Sequence, residues 1–263
     1  MAIVTKSVMR EFESNGVDCP ALNVLIRDLS EYFATFNRIM TSDEPLWFRG
    51  LTSFQHKLIP AALRYDTCEQ RDRALDLVAE FRRYAEIKIE RPPAKDDHLK
   101  WLQLAQHYGL GTRLLDWTEN AAVALYFACL KTDVTGAVYI LNPIELNMAV
   151  DSKRPRVLHA ETDADIINHY LRLTGRQNRR GRPTIAIYPM FNSERIVLQR
   201  GAFTLHGSKS FGLDREQATS LVKIPILKEH KTNLMKELDR IGIGEVTIFP
   251  ELEHLCSYLK RRI

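Results

Sequence analysis

Glycine and proline are scarce, at 12 and 11 of 263 residues. That excludes a fibrous or low-complexity chain. Only four cysteines occur, Cys19, Cys68, Cys129 and Cys256, far apart and never as a CxxC pair. No zinc ribbon or disulfide framework follows from such spacing, and reduced thiols in a cytoplasm are the expectation. No apolar run approaches the ~18–20 residues of a membrane span, and the charges within MAIVTKSVMREFESNG argue against a secretory leader. Neither charge sign dominates: 37 basic against 33 acidic residues leave +4, permissive for phosphate or nucleic-acid partners without demanding them.

Motif absences narrow the chemistry. There is no P-loop, HExxH, GxSxG or deaminase HxE…PCxxC pattern. Gly109-Leu110-Gly111 lacks the third glycine of a dinucleotide fingerprint. The eight histidines are scattered, so no metal is expected.

What is present is a chain of ordinary globular composition, 45% hydrophobic and 27% charged. Its length lies above the ~100–200 residues of a common domain. A stripe at Leu22, Leu25, Leu29, Phe33, Phe36 and Met40 predicts an amphipathic helix over 20–41. LWFRG (46–50) reads as a strand, 69–90 as a helix with Leu77, Phe81, Tyr84 and Ala85 inward, and 101–109 as a helix closed by Gly109. TRLLDW (112–117) reads as a strand, with Thr118 as N-cap of a small-residue helix over 119–131. Further strands are expected at 136–143, 184–189, 195–199, 202–206, 221–226 and 245–249, and helices at 161–174, 228–241 and after Pro250. Helices and strands mix without strict alternation, which points to α+β. The organisation expected is a helical segment over 1–45 and one globular unit over 46–263, its tail starting near 211.

Four stretches concentrate polar groups. Arg49 ends the hydrophobic strand Leu46–Gly50, where a guanidinium fork suits phosphate or carboxylate. Gly50 admits another backbone or a ligand. Gln106–Thr118 interleaves polar and aromatic side chains, either as a ligand site or as an internal network. Within it, Asp116 is free to pair with Arg113 or with Arg49 across the sheet. In the strand reading of 195–199, Arg195, Val197 and Gln199 share a face. Five arginines fall within 172–182, with Arg176, Arg179, Arg180 and Arg182 as the candidate nucleic-acid contacts.

WFRG (47–50), LAQHYGLGTRLLDWT (104–118) with ALYFA (124–128), RIVLQRGAFTLHG (195–207) and IFPELEHL (248–255) together resemble the FRG domain family, named for its Phe-Arg-Gly motif. Gly111 stands where the family usually has proline. A weaker resemblance, to the ADP-ribosyltransferase superfamily, implies a mixed or antiparallel sheet with flanking helices and NAD as substrate. On that resemblance Arg49 would clamp the NAD phosphates, with Gly50, His107, Thr112, Arg113 and Thr118 around the dinucleotide and Tyr108 and Trp117 as aromatic walls. Asp116 and Glu194 would be the candidate groups that stabilise the ribose cation, and Gln199 would bond the ribose hydroxyls. It further implies an NAD-consuming toxin or antiviral effector, an RNA, DNA or protein acceptor, a neutralising antitoxin or immunity partner, and no membrane association. A sensing module without catalysis and an NAD glycohydrolase share the same pocket.

Overall fold

The computed structural model describes residues 12–13, 21–39, 44–148, 152, 155–172, 182–190, 193–207, 212–216 and 220–261. Their strands are β1 (Phe12–Glu13), β2 (Ala21–Leu22), β3 (Trp47–Leu51), β4 (Leu114–Thr118), β5 (Gly136–Leu141), β6 (Leu158–His159), β7 (Ile185–Tyr188), β8 (Gly201–Leu205) and β9 (Leu221–Ile226). They form one sheet in the order β1-β2-β9-β5-β3-β4-β8-β7-β6. The pairs β2–β9 and β6–β7 are parallel and the others antiparallel, so the sheet is mixed and the class is α+β.

The helices are α1 (Leu29–Ile39), α2 (Cys68–Ala85), α3 (His98–His107), α4 (Ala121–Cys129), α5 (Pro143–Met148), α6 (Ala164–Arg172), α7 (Glu194–Leu198), α8 (Leu213–Glu216), α9 (Lys228–Arg240), α10 (Glu245–Ile248) and α11 (Leu252–Lys260). Side-chain alternation assigns them to faces. Phe48, Val138 and Ile140 pack with α1, α4 and α9 in one buried cluster, and Leu114, Phe203 and Leu205 with α3 and α6 in a second. The register pairs Phe48 with Thr118 and Leu114 with Leu205, so both clusters lie on one face. Trp47, Leu115, Trp117, Tyr139 and Leu141 fill the other face with Leu146 of α5 and Leu213 of α8. All six residues of β5 are buried, and each large apolar side chain so covered contributes roughly 1.5–3 kcal/mol.

Two local features fix the centre. A Cβ on Gly50 would sit 1.8 Å from the Ala124 carbonyl oxygen and 2.6 Å from the Ala128 nitrogen. The backbone that Gly50 admits is therefore that of α4, whose alanines let it lie close on β3. The second feature is a split. β3 pairs with β5 at five positions and β4 with β8 at five, but β3 and β4 share a single registered pair, Phe48–Thr118. Beyond it the two strands part.

Several expected elements differ. The 20–41 helix starts at Leu29, because Asp28 accepts from the Glu31 amide and Ala21 pairs with Lys223. Its inward residues are Tyr32, Phe36 and Ile39, and Leu25 and Phe33 are exposed. In α2, Tyr84 faces solvent while Ala74 and Ala85 are buried. Asn120, not Thr118, caps α4, its side chain accepting from the Ala122 amide at 3.0 Å. The 195–199 stretch is helix α7: β8 already has β4 and β7 on its two sides, which leaves no edge for another strand, and Ser193 caps the turn. Residues 245–248 are likewise helical, with the Gly244 amide donating to Thr247 Oγ1 at 2.9 Å.

Candidate functional site

A cleft of about 450 Å³ opens over the split, on the face carrying α3, α4 and α7. Its sides come from Gln103, Gln106, His107 and Tyr108 of the α3 end, Phe127 of α4, Ser193, Arg195, Ile196 and Gln199 in and around α7, and Phe203 of β8. A volume of this size lies within the ~300–1,000 Å³ of small-molecule sites.

Arg49 supplies the charge at its base. It leaves β3 on the side opposite Phe48, and its guanidinium enters the gap where β3 and β4 separate. There Nη1 donates to the Asp116 main-chain carbonyl, a bond standing where a ladder hydrogen bond is missing. The Asp116 carboxylate is 3.6 Å away and 61% exposed, so this ion pair is worth ~0–1 kcal/mol. The Arg49 Nε is buried and has no partner. Burial lowers the guanidinium's proton affinity, Asp116 partly restores it, and Arg64 adds repulsion. The local balance favours an added anion.

Asp116 is held in a directed chain. The Leu114 amide donates to Thr112 Oγ1, and Thr112 Oγ1 donates to Gln106 Oε1. That fixes the Gln106 amide so that Nε2 donates to Asp116 Oδ1 at 2.5 Å. Asp116 Oδ2 is left toward Arg49 and the cleft. Of the two partners open to Asp116 in the sequence, the fold brings Arg49 to it.

Arg113 is used elsewhere. It is 2% exposed and donates Nη2 to the Tyr170 and Leu171 carbonyls at 3.1 and 2.9 Å, at the end of α6. Burial lowers its pKa to about 10. Neither Arg113 nor Thr112 lines the cleft, which corrects their expected place beside a dinucleotide. Thr118 does line it, and ties its two sides together: Oγ1 accepts from the Asn120 amide and donates to the Gln199 carbonyl.

Of the two expected aromatic walls, Trp117 is corrected and Tyr108 stands at the rim of the cleft. Trp117 borders the cleft, but its indole lies in the core of the opposite face, 3% exposed, with Nε1 donating to Thr204 Oγ1 at 3.0 Å. Tyr108 is 68% exposed. It caps α3, and the αL residue Gly109 (φ 86°) closes a Schellman turn through Leu110 N to Ala105 O, turning Tyr108 outward at the mouth beside His107. Phe48, Phe127 and Phe203 are the rings of the interior. Glu194 stands exposed on the first turn of α7 and does not line the cleft, so the superfamily-implied acid position is not met there.

Arg195 and Gln199 both reach the cleft although their segment is helical. Residues i and i+4 share a face in a helix as in a strand, so the wrong element still paired the right residues. Val197, predicted beside them, is 51% exposed. Gln199 Nε2 donates to the Ile248 carbonyl at 3.2 Å, and Arg195 lies 4.8 Å above the Phe249 ring. Sequence reasoning placed Gln106 in its candidate stretch but did not single out Gln103 or Phe127; a glutamine one turn before Gln106 on the same helix was the signal for Gln103.

Arg182 packs on α6, with Nη2 3.1 Å from His169 Nε2 and its guanidinium 5.1 Å from the Tyr170 ring centre. Arg176, Arg179 and Arg180 lie outside the described residues. Among the described residues no group of three His, Cys, Asp or Glu side chains is arranged to hold a metal, and no helix is long and apolar enough to cross a membrane.

Beneath the split, on the opposite face, His206 is fully buried. Trp117 Nε1 donates to Thr204 Oγ1, which lies 2.9 Å from His206 Nε2. His206 Nδ1 lies 3.4 Å from Thr184 Oγ1. Burial and the nearby Arg49 charge lower the His206 pKa to about 3.

Residues 44–135 match the family model of the FRG domain. The match takes in β3, α2, α3, β4 and α4, hence Arg49, Gln106, Asp116 and Thr118, and stops short of α7 and β8. No curated protein and no solved structure matches the chain.

Proposed function

From the premise that this chain carries an FRG domain, we propose that the cleft over the β3–β4 split binds NAD and cleaves its nicotinamide–ribose bond, passing ADP-ribose to an acceptor. The observation that carries this reading is Arg49, a largely buried guanidinium with an unpartnered Nε at the base of a cleft of nucleotide size.

Nicotinamide departs as a neutral molecule from a cationic ring, so the bond breaks toward an oxocarbenium-like ribose without a strong general acid. The site must then grip the diphosphate, cover the ring and set negative charge near C1′. Arg49 is the grip. Phe48, Phe127 and Phe203 cover the ring, in place of Tyr108 and Trp117. Asp116 is the acid, because Gln106 orients one of its oxygens and leaves the other toward the cleft. Gln199, whose amide proton is partly engaged by the Ile248 carbonyl, retains its Oε1 for the ribose hydroxyls. An acceptor hydroxyl or amine attacks C1′ and releases its proton; water in its place gives a glycohydrolase.

Such an enzyme depletes or marks its host, which suits a toxin or antiviral effector acting in a cytoplasm beside a neutralising partner. Tyr108, exposed at the mouth, offers a ring on which a nucleobase of an RNA or DNA acceptor stacks. A sensing module without catalysis is the second reading, favoured by the bond from Arg49 to the Asp116 carbonyl, which ties the two parting strands together through the protein's own groups.

Free nicotinamide measured after incubation with NAD decides between them. Release that needs RNA, DNA or lysate protein supports transfer. Release without an acceptor supports hydrolysis, and no release under any of these conditions removes the catalytic reading.

A further inference from the structure

Both arginines of the cleft meet their carboxylates at the same long distance. Arg49 Nη1 is 3.6 Å from Asp116 Oδ2, and Arg195 Nη1 is 3.6 Å from Glu251 Oε1. Neither is the short, charge-assisted bond of ~2.7–2.9 Å that a guanidinium and a carboxylate make when built for each other. Glu251 is the more telling. Its second oxygen, Oε2, is buried and has no partner. A carboxylate arranged for stability would satisfy that oxygen. Arg195 is meanwhile held 4.8 Å above the Phe249 ring, which stacks on His254 at 4.3 Å and 14°. The Gln199 bond to the Ile248 carbonyl fastens the same side of α7 to α10. Arg195 is thus fixed at the edge of the cleft with N–H groups still to be used.

We infer that the cleft is a two-arginine site for a ligand bearing a diphosphate, with Arg195 as the second anion contact and Asp116 and Glu251 as internal counter-anions that the ligand's oxygens replace. This rests on the diphosphate half of the reading above and not on bond cleavage. It also gives the link between α10 and α11 a role in binding, since it carries both Phe249 beside Arg195 and its counter-anion Glu251.

Removing the Glu251 charge therefore strengthens anion binding, while removing Arg195 weakens it. The test is calorimetric titration of the full chain with inorganic pyrophosphate and with ADP-ribose, in low salt. Glu251→Gln is expected to tighten binding about two- to fivefold, the range of a partly exposed ion pair. Arg195→Gln is expected to loosen it about tenfold, the loss of one charge-assisted contact. The double variant should match Arg195→Gln, because Glu251 acts only through Arg195. If Glu251→Gln fails to fold, Arg195→Lys takes its place and should keep more pyrophosphate affinity than Arg195→Gln. Weaker binding in Glu251→Gln, unchanged binding in Arg195→Gln, or no binding by the unaltered chain overturns the inference. A protein that binds ADP-ribose through Arg195 yet leaves NAD intact loses the proposed reaction and keeps this site. One that cleaves NAD with binding indifferent to Arg195 does the reverse.

Discussion

Arg49 and Arg113 sit on or beside neighbouring strands, both largely out of water, and the fold treats them in opposite ways. Arg113 gives its Nη2 to two carbonyls at the end of α6, where the helix dipole is negative, and does not line the cleft. Arg49 has one carbonyl, a distant exposed carboxylate and an open cleft. The first is anchored to main chain through Nη2 and serves the fold, although its buried Nη1 also lacks a partner. The second is left incomplete at a place where the sheet comes apart. An arginine's burial, or one unfilled N–H, says little about its role; whether the guanidinium lines an open cleft says more.

The largest effect expected is one that sharpens the contrast from below. His206 lies under Arg49 and is held neutral, its pKa lowered from 6.5 to about 3. The unfolded chain takes up a proton between those values and the folded chain does not. This contribution is whole above pH 6.5 and is lost as pH falls toward 3, at ~1.4 kcal/mol per pH unit and at most about 5 kcal/mol in all. Urea unfolding at pH 6.5, 5.5 and 4.5 measures it, and His206→Asn should flatten that slope. The window stays clear of Asp163, whose pKa is lowered from 3.8 to about 2 chiefly by its hydrogen bond with Arg156, so that its contribution fades only below about 3.8. An equal slope in His206→Asn would show that the histidine is not the group responsible.

Next comes Arg113→Met. It leaves the Tyr170 and Leu171 carbonyls without a donor, at roughly 1–3 kcal/mol for each buried acceptor left unpaired, so a loss of about 2 kcal/mol or more is expected in denaturant unfolding. ADP-ribose affinity, measured under conditions where the variant is folded, should not move. The smallest stability effect belongs to Arg49→Met. Its carbonyl partner opens on the cleft, where water replaces the guanidinium, and unfolding should shift by less than about 1 kcal/mol. ADP-ribose affinity should fall about tenfold or more, which is ~1.4 kcal/mol of binding. If the two variants exchange these profiles, the comparison is broken and Arg49 is the structural residue.

Legibility followed the range of the interactions involved. LVKIPI, GAVYIL and AFTL were read as strands and are β9, β5 and β8, because burial on one or both faces leaves a local apolar signature. The close of α3 by Gly109 was equally local, a matter of one residue's φ. RIVLQ and EVTIF were read as strands from β-branched content and are helical, since whether a strand forms depends on a free sheet edge, which no short window contains. In the site, Arg49, Asp116, Thr118 and Gln199 were found from their sequence surroundings and do converge. Trp117, Arg113 and Thr112 have the same chemical credentials, and the alternation of β4 and the placement of α6 took them elsewhere.

Composition and local pattern were enough to establish an α+β chain, several of its apolar strands, the small-residue helix after Thr118 and the guanidinium beside Gly50. Those follow from side-chain volume, periodicity and backbone freedom, all properties of neighbouring residues. Only the tertiary structure decided that β3 and β4 meet at one pair and then part, that Arg49 rather than Arg113 faces the opening, and that Glu251 stands beside Arg195. These depend on which distant segments occupy the remaining space, because a hydrogen bond left unmade by one strand is completed by whatever the rest of the chain brings to it.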